Sequence, residues 1–112
     1  MMLDWKVYRD QVTAVKDISV ANPDIVKAYA GFHQASAKSA HLDAKTRELI
    51  ALAVAVTLRC DGCINAHTDV AVKAGVTKEE MVDALGVAIM VNAGAAMVYS
   101  ARTVDAYNAK TE

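Results

Sequence analysis

Proline occurs once in this 112-residue chain, at Pro23, and glycine five times. No stretch alternates strictly between apolar and polar residues, so a half-buried strand has no sequence signal, and the alanine-rich remainder reads as helix. Aromatic residues make up only 5%, too few for a base-stacking platform. Net charge is −1, which removes the electrostatic case for nucleic acid or an acidic membrane as partner. The opening stretch MMLDWKVYRD carries Asp4, Lys6, Arg9 and Asp10 and no apolar core of signal-peptide type. The longest uninterrupted apolar run, Leu49 to Val56, is too short to span a bilayer, and LGVAIMVNAGAAMVY is broken by Asn92 and Gly94. A cytoplasmic protein without membrane contact is expected. In that compartment two close cysteines point to redox chemistry or metal binding, not to a structural disulfide.

Apolar residues, by contrast, are plentiful. The hydrophobic share is 54%, above the usual ~45–50%, and a single domain over residues 1–112 has difficulty hiding the surplus. A homo-oligomer is expected. The pattern predicts a compact all-α domain of about six helices. The first spans Leu3–Ser19, with Asp4 as a cap. The second starts at Pro23 behind Asn22 and runs to about Lys38. The third is capped by Asp43 and runs to about Leu58. The fourth runs from about Asp61 to Gly75, a good left-handed terminator. The fifth opens on a capping box, Thr77 with Glu80, and ends near Met90. The NAG interruption then separates it from a sixth, Ala93–Tyr107.

Both cysteines lie in RCDGCINAH, Arg59 to His67. Cys60 falls at the junction before a helix and Cys63 in its first turn. There the unpaired backbone N–H groups and the helix dipole favour a thiolate. Arg59 adds a positive neighbour and Asp61 opposes it. The spacing lets the two sulfurs reach bonding distance, so oxidation is expected to join Cys60 to Cys63 within one chain. His67 follows Cys63 by four residues, on the same helical face, where an imidazole can take up or return a thiol proton. Glu48 stands on an apolar stripe with Ala51, Leu52 and Ala55. It is either a general base or a helix-start carboxylate paired with Lys45 or Arg47. Glu48 lies ~15 Å of rise from the end of its helix and His67 only ~9 Å into the next. An antiparallel hairpin alone therefore leaves a gap between them, to be closed by a water, a kink or the long glutamate side chain. Position does not choose which cysteine attacks first.

RELIALAVAVTLRCDGCINAHTDVAVKAGVTKEEMVDAL, Arg47 to Leu85, resembles the carboxymuconolactone decarboxylase superfamily in its alkyl hydroperoxidase D-like branch. That pattern is a glutamate, eleven residues, C-x-x-C, three residues and a histidine, which Glu48, Cys60, Cys63 and His67 match in register. The resemblance implies an all-helical fold and reduction of a hydroperoxide or disulfide without a cofactor or metal. It implies that Cys63 attacks the peroxide, Cys60 resolves it, and Glu48 and His67 relay the proton. A thiol electron donor restores the pair, and short members tend to form dimer-built rings, often hexamers. Two features depart from the family habit: Gly62 stands where some members carry a histidine, and the chain is about one copy of a unit that longer members carry twice. A cofactor-free lactone decarboxylase on the same fold does not need two cysteines. A zinc site built on Cys60, Cys63 and His67 lacks a fourth ligand. His33 and His41 have no partner at ligand spacing and read as surface or capping residues. Met81, Met90 and Met97 read as core or interface filler.

Overall fold

The computed structural model describes residues 3–38 and 40–112, and all regular structure among them is helical. Six helices follow in order: α1 Tyr8–Gln11, α2 Val15–Ala21, α3 Pro23–Ala37, α4 Ala44–Leu58, α5 Asp61–Lys73 and α6 Lys78–Thr111. The partition differs from the expected one at both ends of the chain. The predicted first helix is broken. Asp4 Oδ1 accepts from the Lys6 N–H (3.3 Å) and so closes a turn ahead of α1. The chain then leaves the helix at Val12 and Thr13, a β-branched pair with restricted side-chain freedom in helices. Pro23 opens α3 as predicted, but the Asn22 side chain makes no capping hydrogen bond. The fixed φ of proline sets that helix start instead.

The middle of the chain follows its local signals closely. Asp43 Oδ1 accepts from the Thr46 N–H at 2.7 Å and starts α4. That bond also holds the Asp43 carboxyl below its ordinary range. At the other end of α4, Arg59 is left-handed (φ 54°, ψ 50°), an uncommon conformation for a residue with a side chain. The Arg59 N–H donates to Val56 O and the Cys60 N–H to Ala55 O, the paired bonds of a Schellman termination. The same pattern closes α5, where Gly75 has φ 85° and the Val76 N–H reaches back to Ala71 O at 3.0 Å. Thr77 and Glu80 form the predicted capping box: Thr77 Oγ1 accepts from the Glu80 N–H and Glu80 Oε1 from the Thr77 N–H.

The predicted break at NAG does not occur, and α6 is one helix of 34 residues. A single glycine costs only about 1 kcal/mol in a helix interior. Asn92 stays within the helix. Its Nδ2 donates to Ala88 O (2.7 Å) one turn back and to Thr57 Oγ1 on α4 (2.9 Å).

α4 packs against both α5 and α6, and α1 lies on α5. The core sits at this junction, where Leu52, Ala71 and Val76 are buried with Leu49 and Met81 packed around them. Alanines at the other tight contacts, Ala55 and Ala88, let the helix axes approach closely. α2 and α3 pack on each other, and among the described residues neither buries a side chain. The radius of gyration is 18.6 Å, against about 13 Å for a compact chain of this length.

Candidate redox site

The left-handed Arg59 reverses the chain so sharply that Cys60 is at once the residue after the α4 termination and the N-cap of α5. Its Sγ accepts from the Cys63 N–H at 3.1 Å, where a serine or aspartate oxygen usually sits. A disulfide joins Cys60 and Cys63 across a Cα–Cα distance of 5.3 Å, as the spacing led us to expect and within the range such bonds require. In this form neither sulfur is a thiolate, so neither can serve as a metal ligand.

One turn along α5, His67 meets Glu48 of α4. The two are in direct contact, His67 Nδ1 to Glu48 Oε2, at 2.7 Å. The reach of the two side chains closes the gap that helix rise alone leaves. A carboxylate only accepts, so Nδ1 carries the proton and donates, which leaves Nε2 as the free basic nitrogen of the ring. The contact is sheltered, with the Glu48 side chain 13% exposed and His67 29%. The two other partners considered for Glu48 are engaged elsewhere: Lys45 Nζ binds Glu80 at 3.2 Å, and Arg47 Nη2 donates to Ser36 Oγ of α3 at 3.1 Å.

Glu48, His67 and Cys63 line one cleft of about 410 Å³. Ile50, Val54 and Leu58, on one stripe of α4, give it an apolar wall, and Arg47 and Ser36 are also among its lining residues. Cys60 is not among the lining residues; Cys63 is. Three of the four residues singled out in the sequence, Glu48, Cys63 and His67, therefore share one cleft, and Cys60 is bonded to Cys63 from outside its lining. His33 lies apart, with Nε2 at 3.0 Å from the Tyr29 hydroxyl on the exposed face of α3, and His41 is exposed. Sequence reasoning missed Ser36 and Tyr8. The Tyr8 hydroxyl stands over Gly62, 3.9 Å from where a side-chain carbon at position 62 would be. No local pattern announces a contact made across more than fifty residues of chain. Tyr99 lies against Arg102, whose guanidinium is 5.0 Å from the ring centroid, away from the cleft.

Residues 23–106 match the model of the carboxymuconolactone decarboxylase family. An uncharacterized protein of Haemophilus influenzae is 47% identical over 109 residues, 96% of each chain. The crystal structure of a carboxymuconolactone decarboxylase family protein from Legionella pneumophila superposes with a TM-score of 0.68 at 33% identity, over 92% of both chains. A crystal structure from Methanobacterium thermoautotrophicum gives 0.66 at 30% identity, covering 73% of this chain and 94% of that one. By its family match, its relatives and its all-helical fold, this chain belongs to the carboxymuconolactone decarboxylase family.

Proposed function

We propose that the protein is a thiol-dependent oxidoreductase of the alkyl hydroperoxidase D-like kind, reducing a hydroperoxide or a disulfide through Cys60 and Cys63. One observation carries this: Cys63, already bonded to Cys60, shares a cleft with a His67–Glu48 pair whose free imidazole nitrogen can exchange a proton. In the reduced enzyme His67 Nε2 takes the Cys63 thiol proton, and Glu48 holds the resulting imidazolium. The Cys63 thiolate attacks the distal oxygen of ROOH, the O–O bond breaks, and the alkoxide leaves with the proton from His67 as ROH. Cys63 is then a sulfenic acid. The Cys60 sulfur attacks it, the S–O bond breaks, and hydroxide leaves with the Cys60 proton as water. A dithiol donor, or two monothiols, returns two electrons and two protons to the disulfide. The assignment of Cys63 as the attacking sulfur draws support from its place in the cleft and from the cap position of Cys60 outside it.

Regeneration requires a reducing compartment, and we place the enzyme in the cytoplasm on that ground. The test is a thiol titration of freshly reduced protein before and after an organic hydroperoxide, followed by a screen of thiol donors at fixed hydroperoxide. Loss of both thiols with formation of ROH is the expected result. Thiols that survive the peroxide, in a protein that nevertheless releases carbon dioxide from a carboxylated lactone whose ring stays closed, would put the decarboxylase chemistry of the family name in its place.

A further inference from the structure

We infer that the redox cleft takes a hydroperoxide carried on a long-chain carboxylic acid, with Arg47 holding the acid group. The fate of the peroxide rests on the proposed thiol chemistry; the binding of the acid does not. Cys63, His67 and Glu48 account for the reacting part of the cleft. Arg47 has no role in that chemistry, yet it lines the same cleft. Its Nη2 donates to Ser36 Oγ at 3.1 Å, and Ser36 is a lining residue too. A hydrogen bond between two lining residues puts the guanidinium at the cleft surface.

That guanidinium is short of partners. It offers five N–H donors, and among the described residues the Ser36 hydroxyl is its one side-chain partner. No carboxylate neutralises it, since the ion pairs among the described residues are Lys45–Glu80 and His67–Glu48. α4 has no acidic residue in its first turn, where the helix dipole is positive and a cation is disfavoured. Lys45 in that turn has Glu80 against it, whereas half-buried Arg47 has only a neutral hydroxyl. An anion entering the cleft supplies both the missing charge and an acceptor for the remaining donors.

The rest of the ligand follows from the shape of the cleft. From Arg47 to Leu58 its wall follows α4 for about 16 Å, at 1.5 Å of rise per residue. Ile50, Val54 and Leu58 along that wall are 49%, 51% and 69% exposed, and they present hydrocarbon to hydrocarbon. His67 meets Glu48, next to Arg47, and the Cys60 N–H is tied to Ala55 O. Cys63 lies between His67 and Cys60 on the chain, so its level falls between Glu48 and Ala55, in the middle of the wall. The ligand that fits has its acid group at Arg47, its peroxide within the chain and its tail on Val54 and Leu58. A cleft of about 410 Å³ is within the range of small-molecule sites. A carboxylate suits it better than a phosphate. One negative charge balances Arg47 and accepts two parallel hydrogen bonds from the guanidinium, while the second charge of a phosphate monoester would fall beside Glu48. The acid group is held and not changed: the O–O bond breaks, ROH and water leave, and the two thiols close to the disulfide.

Binding is read first, without a redox step, by calorimetry on the oxidised protein with decanoate, decanamide and decyl phosphate below their micellar concentrations. Decanoate is expected to bind about tenfold or more tightly than the neutral amide, and Arg47→Gln to remove that margin. Equal affinity for acid and amide, a margin that survives Arg47→Gln, or phosphate bound more tightly than the acid would overturn the inference. Arg47 also ties α4 to α3, and Ser36→Ala breaks that tie while keeping the charge. It is expected to preserve the margin; a margin lost as fully as in Arg47→Gln would show that Arg47 acts by holding α3. If Arg47→Gln fails to fold, Arg47→Met takes its place with the same outcomes. Turnover of linoleic acid hydroperoxide and of its methyl ester by the reduced protein then separates the two claims. The acid is expected to lead by about tenfold in kcat/KM, through KM, with the ratio near one in Arg47→Gln. Turnover of both at one rate would refute the acid-binding role and leave the thiol chemistry standing. No turnover of either, with decanoate still bound through Arg47, would refute the hydroperoxide and leave the acid site standing.

Discussion

Replacing Glu48 with glutamine separates two roles that the cleft allows for the carboxylate. If Glu48 itself removed the thiol proton, its loss would cost about 10²–10⁴-fold in rate, as general-base deletions do. The proposed mechanism gives it a different place: with its Oε2 2.7 Å from His67 Nδ1, its part in that scheme is to orient His67 and to hold the ring once it has taken the thiol proton. Among the described residues no other hydrogen bond holds the carboxylate. The glutamine amide is therefore free to turn its oxygen to Nδ1 and keep the ring in the same tautomer. What is lost is the difference between a charged and a neutral hydrogen bond. Charged ones are worth about 1.5–3 kcal/mol and neutral ones about 0.5–1.5. A deficit of about 1–1.5 kcal/mol converts to roughly a five- to tenfold slower step. Stopped-flow measurement of thiol loss in reduced protein mixed with an organic hydroperoxide, repeated across pH, reads this directly. Glu48→Gln should lie within about tenfold of wild type, while His67→Asn should fall by about 10²–10⁴-fold. A loss beyond about 10³-fold in Glu48→Gln would make the carboxylate the base and refute the orienting role. An unchanged rate and pH profile would leave it without any role in proton transfer.

Three further outcomes follow from particular contacts. Cys60→Ser should still give a sulfenic acid on Cys63 that a dimedone-type probe labels, whereas Cys63→Ser should not label; the reverse pattern would exchange the two roles. Leu52→Ala removes the centre of a small core, where the side chain is 3% exposed, and should cost about 2–5 kcal/mol in thermal or denaturant unfolding. The Glu80 carboxyl is held below its ordinary value of 4.5, first by the Thr77 N–H and then by the Lys45 ammonium. The unfolded chain thus binds that proton more readily, and the stability this group contributes is present above about pH 4.5 and lost as pH falls through the lowered folded value. Glu80→Gln keeps an acceptor for the capping box and should flatten the acid side of a melting-temperature profile; an unchanged acid slope would show that Glu80 does not contribute to it.

Signals confined to one turn of chain were legible in the order of residues alone. The Asp43 cap, the Thr77–Glu80 box, the Gly75 terminator and the placement of Cys60 and Cys63 at a helix start are all set by neighbours a few residues away, and each formed where its pattern stood. The fold class followed from them. Non-local contacts decided the rest. Asn92 looked like a helix breaker because its main tertiary partner, Thr57, is 35 residues away. The Glu48–His67 contact depends on how two helices cross, which rise per residue does not give. That Cys63 and not Cys60 lines the cleft depends on the reversal at Arg59, a residue whose sequence gives no hint of a left-handed backbone. At the break, Val12 and Thr13 are a β-branched pair, both exposed, and among the described residues too little packs on them to hold a marginal helix together.

The most direct test of the proposed chemistry is stoichiometric. Fully reduced protein, freed of reductant, is mixed with one equivalent of an organic hydroperoxide, and thiols, alcohol product and protein mass are followed together. Consumption of one hydroperoxide per chain, release of one alcohol and a mass loss of two hydrogens, with Cys60 and Cys63 linked in one peptide, is the predicted result. Hydroperoxide left intact beside two free thiols would contradict it.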